Sequence, residues 1–218
     1  FYNVYNILAA YAGVRTAGYS ADHFQDMLNK FNPENGRMEQ FRIRGCSVTL
    51  NLAKNPAGFN QNISAVMQDT APKDIIITIN DNAQDGRDIS WLWDVDFDRL
   101  MDPSVKSITV SGIRCQDMRL RLKYVDIPSM LEADVEKAIR ARVEDGVSNL
   151  YVLVNYTALF GTRNILKRME GERKMLKIVI IVLAIVVLLV LWLVSSYHGF
   201  VRLRNKSEEA LSAMDVSL

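Results

Sequence analysis

The sequence predicts an α/β fold: a Rossmann-like, mainly parallel sheet covered by helices on both faces, followed by a transmembrane helix and an amphipathic helix. Three observations carry this. Short continuous apolar runs such as "DIIITIN" and "NLYVLVNY" alternate with stretches of helical period, the pattern of strands that crossover helices bury on both faces. One unbroken apolar run of seventeen residues, "IVIIVLAIVVLLVLWLV", stands at Ile178–Val194. Acids and bases nearly cancel, leaving +1 overall, so bulk charge gives no argument for nucleic acid.

The elements follow in order. "YNVYNILAAYAGVRTAG" has apolar residues at helical spacing and stops at Gly18, and "SADHFQDMLNKF" is a second helix with Ser20 as its N-cap. "MEQFRIRGCSVTLNLA" reads as two strands joined around Gly45, and "GFNQNISAVMQD" as a helix. "DIIITIN" and "SVKSITVSG" are strands; "IRCQDMRLRLKYV" and "MLEADVEKAIRARVEDG" are helices. "NLYVLVNY" is a further strand and "TALFGTRNILKRM" a helix. At 218 residues the chain has room for one medium domain and an appendage. It opens at Phe1 and stops at Leu218 within a helical pattern, and so reads as a fragment.

The apolar run reaches the lower end of a spanning length, and Leu176, Ser195 and Ser196 extend it. Trp192 and Tyr197 fall where interfacial aromatics belong. A buried core helix is the alternative, though core helices rarely lack a polar face for this long. Arg163, Lys167, Arg168, Arg173, Lys174 and Lys177 precede the run, against Arg202, Arg204 and Lys206 after it. The positive-inside rule then expects a single pass through the cell membrane with the N-terminal domain cytoplasmic.

The chemistry-bearing residues are few. Cys46 and Cys115 match no metal spacing and read as free thiols. His23 and His198 are the two histidines, too few for a zinc site or a self-contained Ser-His-Asp triad; His23 reads as a helix-surface residue. No G-x-x-x-x-G-K-[ST] loop occurs, which excludes ATP binding by that route. The conspicuous segment is "NDNAQDGRDISWLWDVDFD", Asn80–Asp98, with Asp81, Asp85, Asp88, Asp94, Asp96 and Asp98 beside Trp91 and Trp93. It follows a strand directly, at the edge where open α/β sheets collect ligands. As an EF-hand aligned on Asp81 it fails, with Ala83 and Leu92 at ligand positions. The tryptophans read either as a contact surface or as packing against the sheet.

Six ordered blocks, "FYNVYNILAAYA", "NGRMEQF", "NLAKNPAGFN", "NDNAQDGRDISWLWDVDFD", "VSGIRCQDMRLRLKYV" and "VNYTAL", resemble the C-terminal part of the MurT family. MurT is the Mur-ligase-like subunit of lipid II isoglutaminyl synthase. The resemblance covers about 1–170. It implies the end of a Mur ligase central domain at 1–30 and a Mur ligase C-terminal domain at 31–172. It also implies a division of labour. The MurT subunit activates the stem-peptide glutamate of lipid II with ATP and Mg2+, and a GatD-like glutaminase partner releases ammonia from glutamine. MurT contributes an aspartate of a D-G-R-D motif to the partner's triad; here that residue is Asp88. Asp85, Arg87, Trp91 and Trp93 are then the expected partner interface. "NLAKNPAGFN" stands where related ligases carry a nucleotide-facing loop, which makes Lys54 and Asn55 candidate nucleotide or substrate contacts. A plain helix start at Asn55-Pro56 is the alternative. Arg37 is a candidate for an anionic group, or a surface arginine. The phosphate loop and zinc-ribbon cysteines of a complete MurT are missing from this sequence, so the chain alone is expected to bind no nucleotide and to make no acyl phosphate.

The tail, "MLKIVIIVLAIVVLLVLWLVSSYHGFVRLRNKSEEALSAMDVSL", is similar to the start of a LemA family protein. That implies a transmembrane helix at 175–197 and the beginning of a helical domain at 198–218. A generic anchor is the alternative. The chain is then either a membrane-tethered fusion or two neighbouring reading frames read as one, and a non-catalytic LemA-like scaffold is the competing function.

Overall fold

The computed structural model describes residues 4–20, 22–30 and 36–215, without the side chains of 173–180, 194–196, 199–200 and 207–215. Two compact units divide at Glu170, Phe1–Glu170 and Gly171–Leu218.

In the first unit, helices α1 (Val4–Thr16) and α2 (Phe24–Lys30) precede a six-stranded sheet. Helix α2 starts four residues after the expected cap: the Ser20 hydroxyl donates to Asp22 and accepts from the Asp22 N–H, a local turn in place of a cap. The strands are β1 (Arg37–Ile43), β2 (Cys46–Leu52), β3 (Lys73–Thr78), β4 (Val105–Ser111), β5 (Met130–Leu131) and β6 (Asn149–Val154). They lie in the order β1-β2-β6-β3-β4-β5, and every neighbouring pair is parallel except β1 with β2. The sheet is thus mostly parallel, as the sequence predicts. Arg44 and Gly45, both at positive φ, close the β1–β2 hairpin, the two-residue geometry that matches strand twist. Met130 and Leu131, expected in a helix, form the short edge strand β5 on β4. The following helix, α5 (Val135–Glu144), begins at its own N-cap Asp134.

Burial explains the strand patterns. All six residues of β3 are buried, because helices cover both faces there, whereas the edge strand β1 alternates. Helix α3 (Pro56–Gln68), helix α4 (Cys115–Lys123) and two 3-10 turns, Ser90–Asp94 and Phe97–Leu100, cover one face. Their core includes Phe59, Ile63, Ile75, Ile77, Phe97 and Met118. Helix α5 and the start of α6 (Tyr156–Asp215) cover the other, with Ile43, Val48, Ile76, Ile139, Val152 and Leu159. Each such buried aliphatic or aromatic side chain contributes about 1.5–3 kcal/mol over its exposed state.

The chain leaves β3 for the first face and leaves β6, its neighbour, for the second. The carboxyl ends of these two strands therefore flank a topological switch point, where open α/β sheets bind ligands.

Helix α6 continues for 60 residues through the expected span and the LemA-like blocks to Asp215. Among the described residues, no helix is long and apolar enough to cross a membrane. The expected span at 175–197 falls in part on 173–180 and 194–196, whose side chains lie outside the described ones. Between them, Ile181–Leu193 is exposed throughout.

Candidate functional site

The acidic segment is tied down at one end and open at the other. Past Thr78 the chain is held by Asn155: its N–H donates to the Thr78 carbonyl at 3.3 Å and its Nδ2 to the Asn80 carbonyl at 2.7 Å. The Asn80 N–H in turn donates to Asn155 Oδ1 at 3.1 Å. Asn80 Oδ1 accepts from the Ile113 N–H at 3.0 Å, which joins the β3 and β4 ends. Gly112 sits between them at φ +86°, where a Cβ would lie 2.6 Å from the Ile79 carbonyl oxygen; a side chain has no room there.

Asp85 closes the first half of the loop. Its Oδ1 accepts from the Thr157 N–H at 2.9 Å and its Oδ2 from the Thr157 hydroxyl, which also accepts from Asn82 Nδ2 at 2.9 Å. Thr157 is in the first turn of α6, so Asp85 satisfies a backbone donor that the helix leaves unpaired and places negative charge at its N-terminus. The segment is thereby bonded across the switch point. Beside this junction a cleft of about 380 Å3 is lined by Thr78, Gly112, Ala133, Ala158 and Thr162 among others. The Thr78 and Thr162 hydroxyls are buried and, among the described residues, find no hydrogen-bond partner.

Beyond Asp85 the chain reverses at Gly86, φ +79°, and Arg87 and Asp88 are exposed. Asp88 Oδ1 accepts from the Ser90 N–H at 2.8 Å. That bond, followed by one from the Ser90 side chain, holds the Asp88 carboxyl below its ordinary pKa. The result is an ionised, preoriented carboxylate in a chain with two histidines, neither in this segment. Asp94 is exposed, and Asp81 pairs with Arg114 at 3.7 Å.

The two tryptophans divide between the two readings of them. Trp91 is half-buried and packs on Phe59, ring centroids 6.0 Å apart. Trp93 is exposed beside Tyr124 and Arg121.

Lys54 and Asn55 follow β2 at the same edge, and Arg37, opposite Asn51 in register, begins β1 there. Asn55 is the N-cap of α3: its Oδ1 accepts from the Gly58 N–H at 2.8 Å, with Pro56 in the first turn. Lys54 and Arg37 are exposed, and Arg37 borders a cleft lined by Ile7, Phe24 and Met27 of α1 and α2. Among the described residues, no hydrogen bond or ion pair joins these three to the acidic segment. No group of three or more His, Cys, Asp or Glu among the described residues is placed to hold a metal ion.

Sequence reasoning missed the asparagine and threonine anchors, Asn80, Asn155 and Thr157. Asn155 and Thr157 lie in the "VNYTAL" block, and a short polar cluster directly after a buried strand is the signal that marks them.

The family model described as "MurT ligase C-terminal" matches residues 52–159. Over 160 residues the chain is 38% identical to the lipid II isoglutaminyl synthase (glutamine-hydrolyzing) subunit MurT of Staphylococcus aureus strain COL, covering 72% of this chain and 36% of that protein. Over 176 residues it is 31% identical to the MurT subunit of Streptococcus pneumoniae, covering 79% and 39%. The chain thus spans little more than a third of these relatives. Among solved structures, the UDP-N-acetylmuramate-alanine ligase MurC of Thermotoga maritima is similar in fold, with TM-score 0.55 and 14% identity over 79% of this chain and 38% of that one. The MurF ligase of the same organism, solved with ADP, gives TM-score 0.52 and 16% identity over 77% and 38%. Residues 52–159, within a mostly parallel sheet of Mur ligase type, form a domain of the MurT ligase C-terminal family.

Proposed function

We propose that this chain is the C-terminal part of a lipid II isoglutaminyl synthase subunit, and that it supports amidation of the stem-peptide glutamate by presenting Asp88 to a GatD-like glutaminase. The observation that carries this is Asp88 itself: exposed, kept anionic by Ser90, and in a chain with no imidazole in that segment for it to serve. A carboxylate in that state accepts a hydrogen bond from one nitrogen of a partner's histidine. It fixes the tautomer that serves as base and stabilises the imidazolium that forms as the glutaminase nucleophile attacks. Arg87 and Trp93 meet the partner beside it. Asp85 and Trp91 act from behind, one bonding the loop to α6 and the other seating it on Phe59. In the complete protein, ATP with Mg2+ would supply the activation of the glutamate carboxylate, with most of the residues that hold them outside this chain and Lys54 and Asn55 as candidate contacts within it. Arg37 and Lys54 remain cations at the same edge for an anionic substrate group.

The test is Asp88→Asn in a complex reconstituted with the full-length subunit and the glutaminase. Glutamine-dependent amidation should fall by about 10²–10⁴-fold, the scale of losing a triad acid. Amidation fed with ammonium should persist, and Asp94→Asn should leave both intact. Full glutaminase activity in Asp88→Asn sinks the assignment; equal loss with glutamine and with ammonium moves the residue to the ligation step.

A second reading concerns the tail: a LemA-like anchor in the cell membrane, with the N-terminal domain cytoplasmic. What supports it is Ile181–Leu193, apolar and exposed on all sides, a surface that water disfavours and lipid accepts. Flotation of the full chain with lipid vesicles, lost on ending the chain at Glu172, is the expected outcome; a stop codon near Lys174 in the genomic read would dissolve the fusion.

A further inference from the structure

The start of α6 grips the acidic segment at two points. Asn155, just before the helix, takes the Asn80 backbone: its Nδ2 donates to the carbonyl at 2.7 Å and its Oδ1 accepts from the N–H at 3.1 Å. Two residues on, Thr157 takes the side chains. Its hydroxyl donates to Asp85 Oδ2 and accepts from Asn82 Nδ2 at 2.9 Å and from Asn80 Nδ2 at 3.4 Å. A hydroxyl has one proton to give and two lone pairs. All of that capacity goes to one segment, 72 to 77 residues away along the chain.

Capping the helix does not account for this arrangement. The cap needs only the Thr157 N–H, which donates to Asp85 Oδ1 at 2.9 Å. The hydroxyl bonds fix the loop instead. Threonine suits that task, because its β-branched side chain is stiff about χ1 and presents the hydroxyl in few directions.

Asp88 lies on the stretch this anchor controls. The Asp85 N–H donates to the Asn82 carbonyl at 2.8 Å, so both ends of that turn are pinned to one hydroxyl. Gly86 follows at φ +79°, a residue whose backbone is free to swing when nothing holds its neighbours. Downstream, Ile89 packs against the core and Leu92 is buried in it. Asp88 thus stands between a packed anchor directly after it and a hydrogen-bonded anchor at Asp85, with a glycine inside the interval.

We infer that Thr157 is a positioning residue for the glutaminase step: its hydroxyl, acting through Asp85 and Asn82, sets where the Asp88 carboxylate is presented. The inference rests on the reading of Asp88 given above. A triad acid works by orienting an imidazole at hydrogen-bond distance, and a misplacement on the order of 1 Å can cost about 10²-fold. A threonine that merely stabilised α6 would change the amount of folded subunit and lower both amidation reactions alike.

The experiment uses the full-length subunit reconstituted with the glutaminase. It compares Thr157→Val, which keeps the branched shape and the N–H bond to Asp85 but lacks the hydroxyl, with Thr157→Ser, which keeps the hydroxyl. Thr157→Val should lower kcat for glutamine-dependent amidation by about 10–100-fold. It should leave KM for glutamine and the ammonium-fed reaction unchanged, and Thr157→Ser should recover most of the loss. Combined with Asp88→Asn, Thr157→Val should cost nothing further, since one acts through the other. If thermal melts show Thr157→Val unfolded, Asp85→Ala, which removes the other side of the same bond, takes its place in each comparison. Wild-type kcat with glutamine in the folded variant, with Asp88→Asn still impaired, overturns the role of Thr157 and leaves the Asp88 reading standing. So does equal loss with glutamine and ammonium, or a further loss on top of Asp88→Asn. Full glutamine-dependent activity in Asp88→Asn removes both.

Discussion

At the amino edge of the sheet, ionisable side chains are buried and bonded within the chain, whereas at the carboxyl edge several stand exposed. Lys73, almost wholly buried, donates to the Asp69 carbonyl and to Ser104 Oγ at 2.9 Å. The Tyr151 hydroxyl donates to Asp69 Oδ2 at 2.9 Å, and burial together with that bond pushes the phenol above its ordinary pKa. Arg142 lies 3.8 Å from Asp74. Asp88, Arg87, Lys54 and Arg37 have the opposite character. Charge at one edge is paired and desolvated; at the other it is hydrated, with Asp88 oriented by the Ser90 N–H. Asp85 and Glu39 qualify the contrast, since both lie near the carboxyl edge and both hold α6.

Removing a member of the buried amino-edge network should have the largest effect on stability. Lys73→Ala leaves the Asp69 carbonyl and Ser104 hydroxyl without their buried donor and opens a void, and should cost about 3 kcal/mol. Urea denaturation measures this; a loss under about 1 kcal/mol would erase the distinction between the edges. Asp85→Ala comes next. Loss of the cap on α6 should cost about 1–2 kcal/mol and speed amide exchange at Gly86–Asp88. Unchanged exchange would mean that Asp85 is as idle within this chain as Asp88.

The smallest effect is a pH dependence. Burial raises the Glu39 carboxyl pKa, but hydrogen bonds from Arg163 and the Gly36 N–H outweigh it and leave the group below its ordinary value of 4.5. A depressed folded-state pKa stabilises the fold above the ordinary value, and that contribution is lost as pH falls through the lowered one. The melting temperature should therefore drop on acidification below about pH 4.5. Glu39→Gln should flatten that slope without altering the plateau's shape at neutral pH. An unchanged slope in the variant would assign the acid sensitivity elsewhere.

Much of the fold was legible because its signals are local. β3 and β6 announce themselves as unbroken apolar runs, and Gly45 marks the hairpin. Two-residue β5 was not legible, since a strand that short has no period and merges with the helix that follows. The site divides along the same line. The placement of the acidic segment at a strand's carboxyl end followed from the sequence. The different tasks of Asp85 and Asp88 did not, because Thr157 lies 72 residues away. Nor does sequence tell Trp91 from Trp93: one meets Phe59 and the other Arg121, and both partners are distant along the chain.

The order of the strands has a consequence for synthesis. β6, the last strand among the described residues, is inserted between β2 and β3, so a nascent chain that has not yet reached Asn149 holds two apolar strands that lack the neighbour joining them. Such unpaired edges invite intermolecular pairing. The loop that carries Asp88 waits longer still, because its anchor on Thr157 emerges after the strand does. The ribosome therefore delivers the scaffold before the part of it that closes the sheet and organises the acidic loop, and termination between Thr78 and Asn149 should yield aggregates rather than a weakened domain.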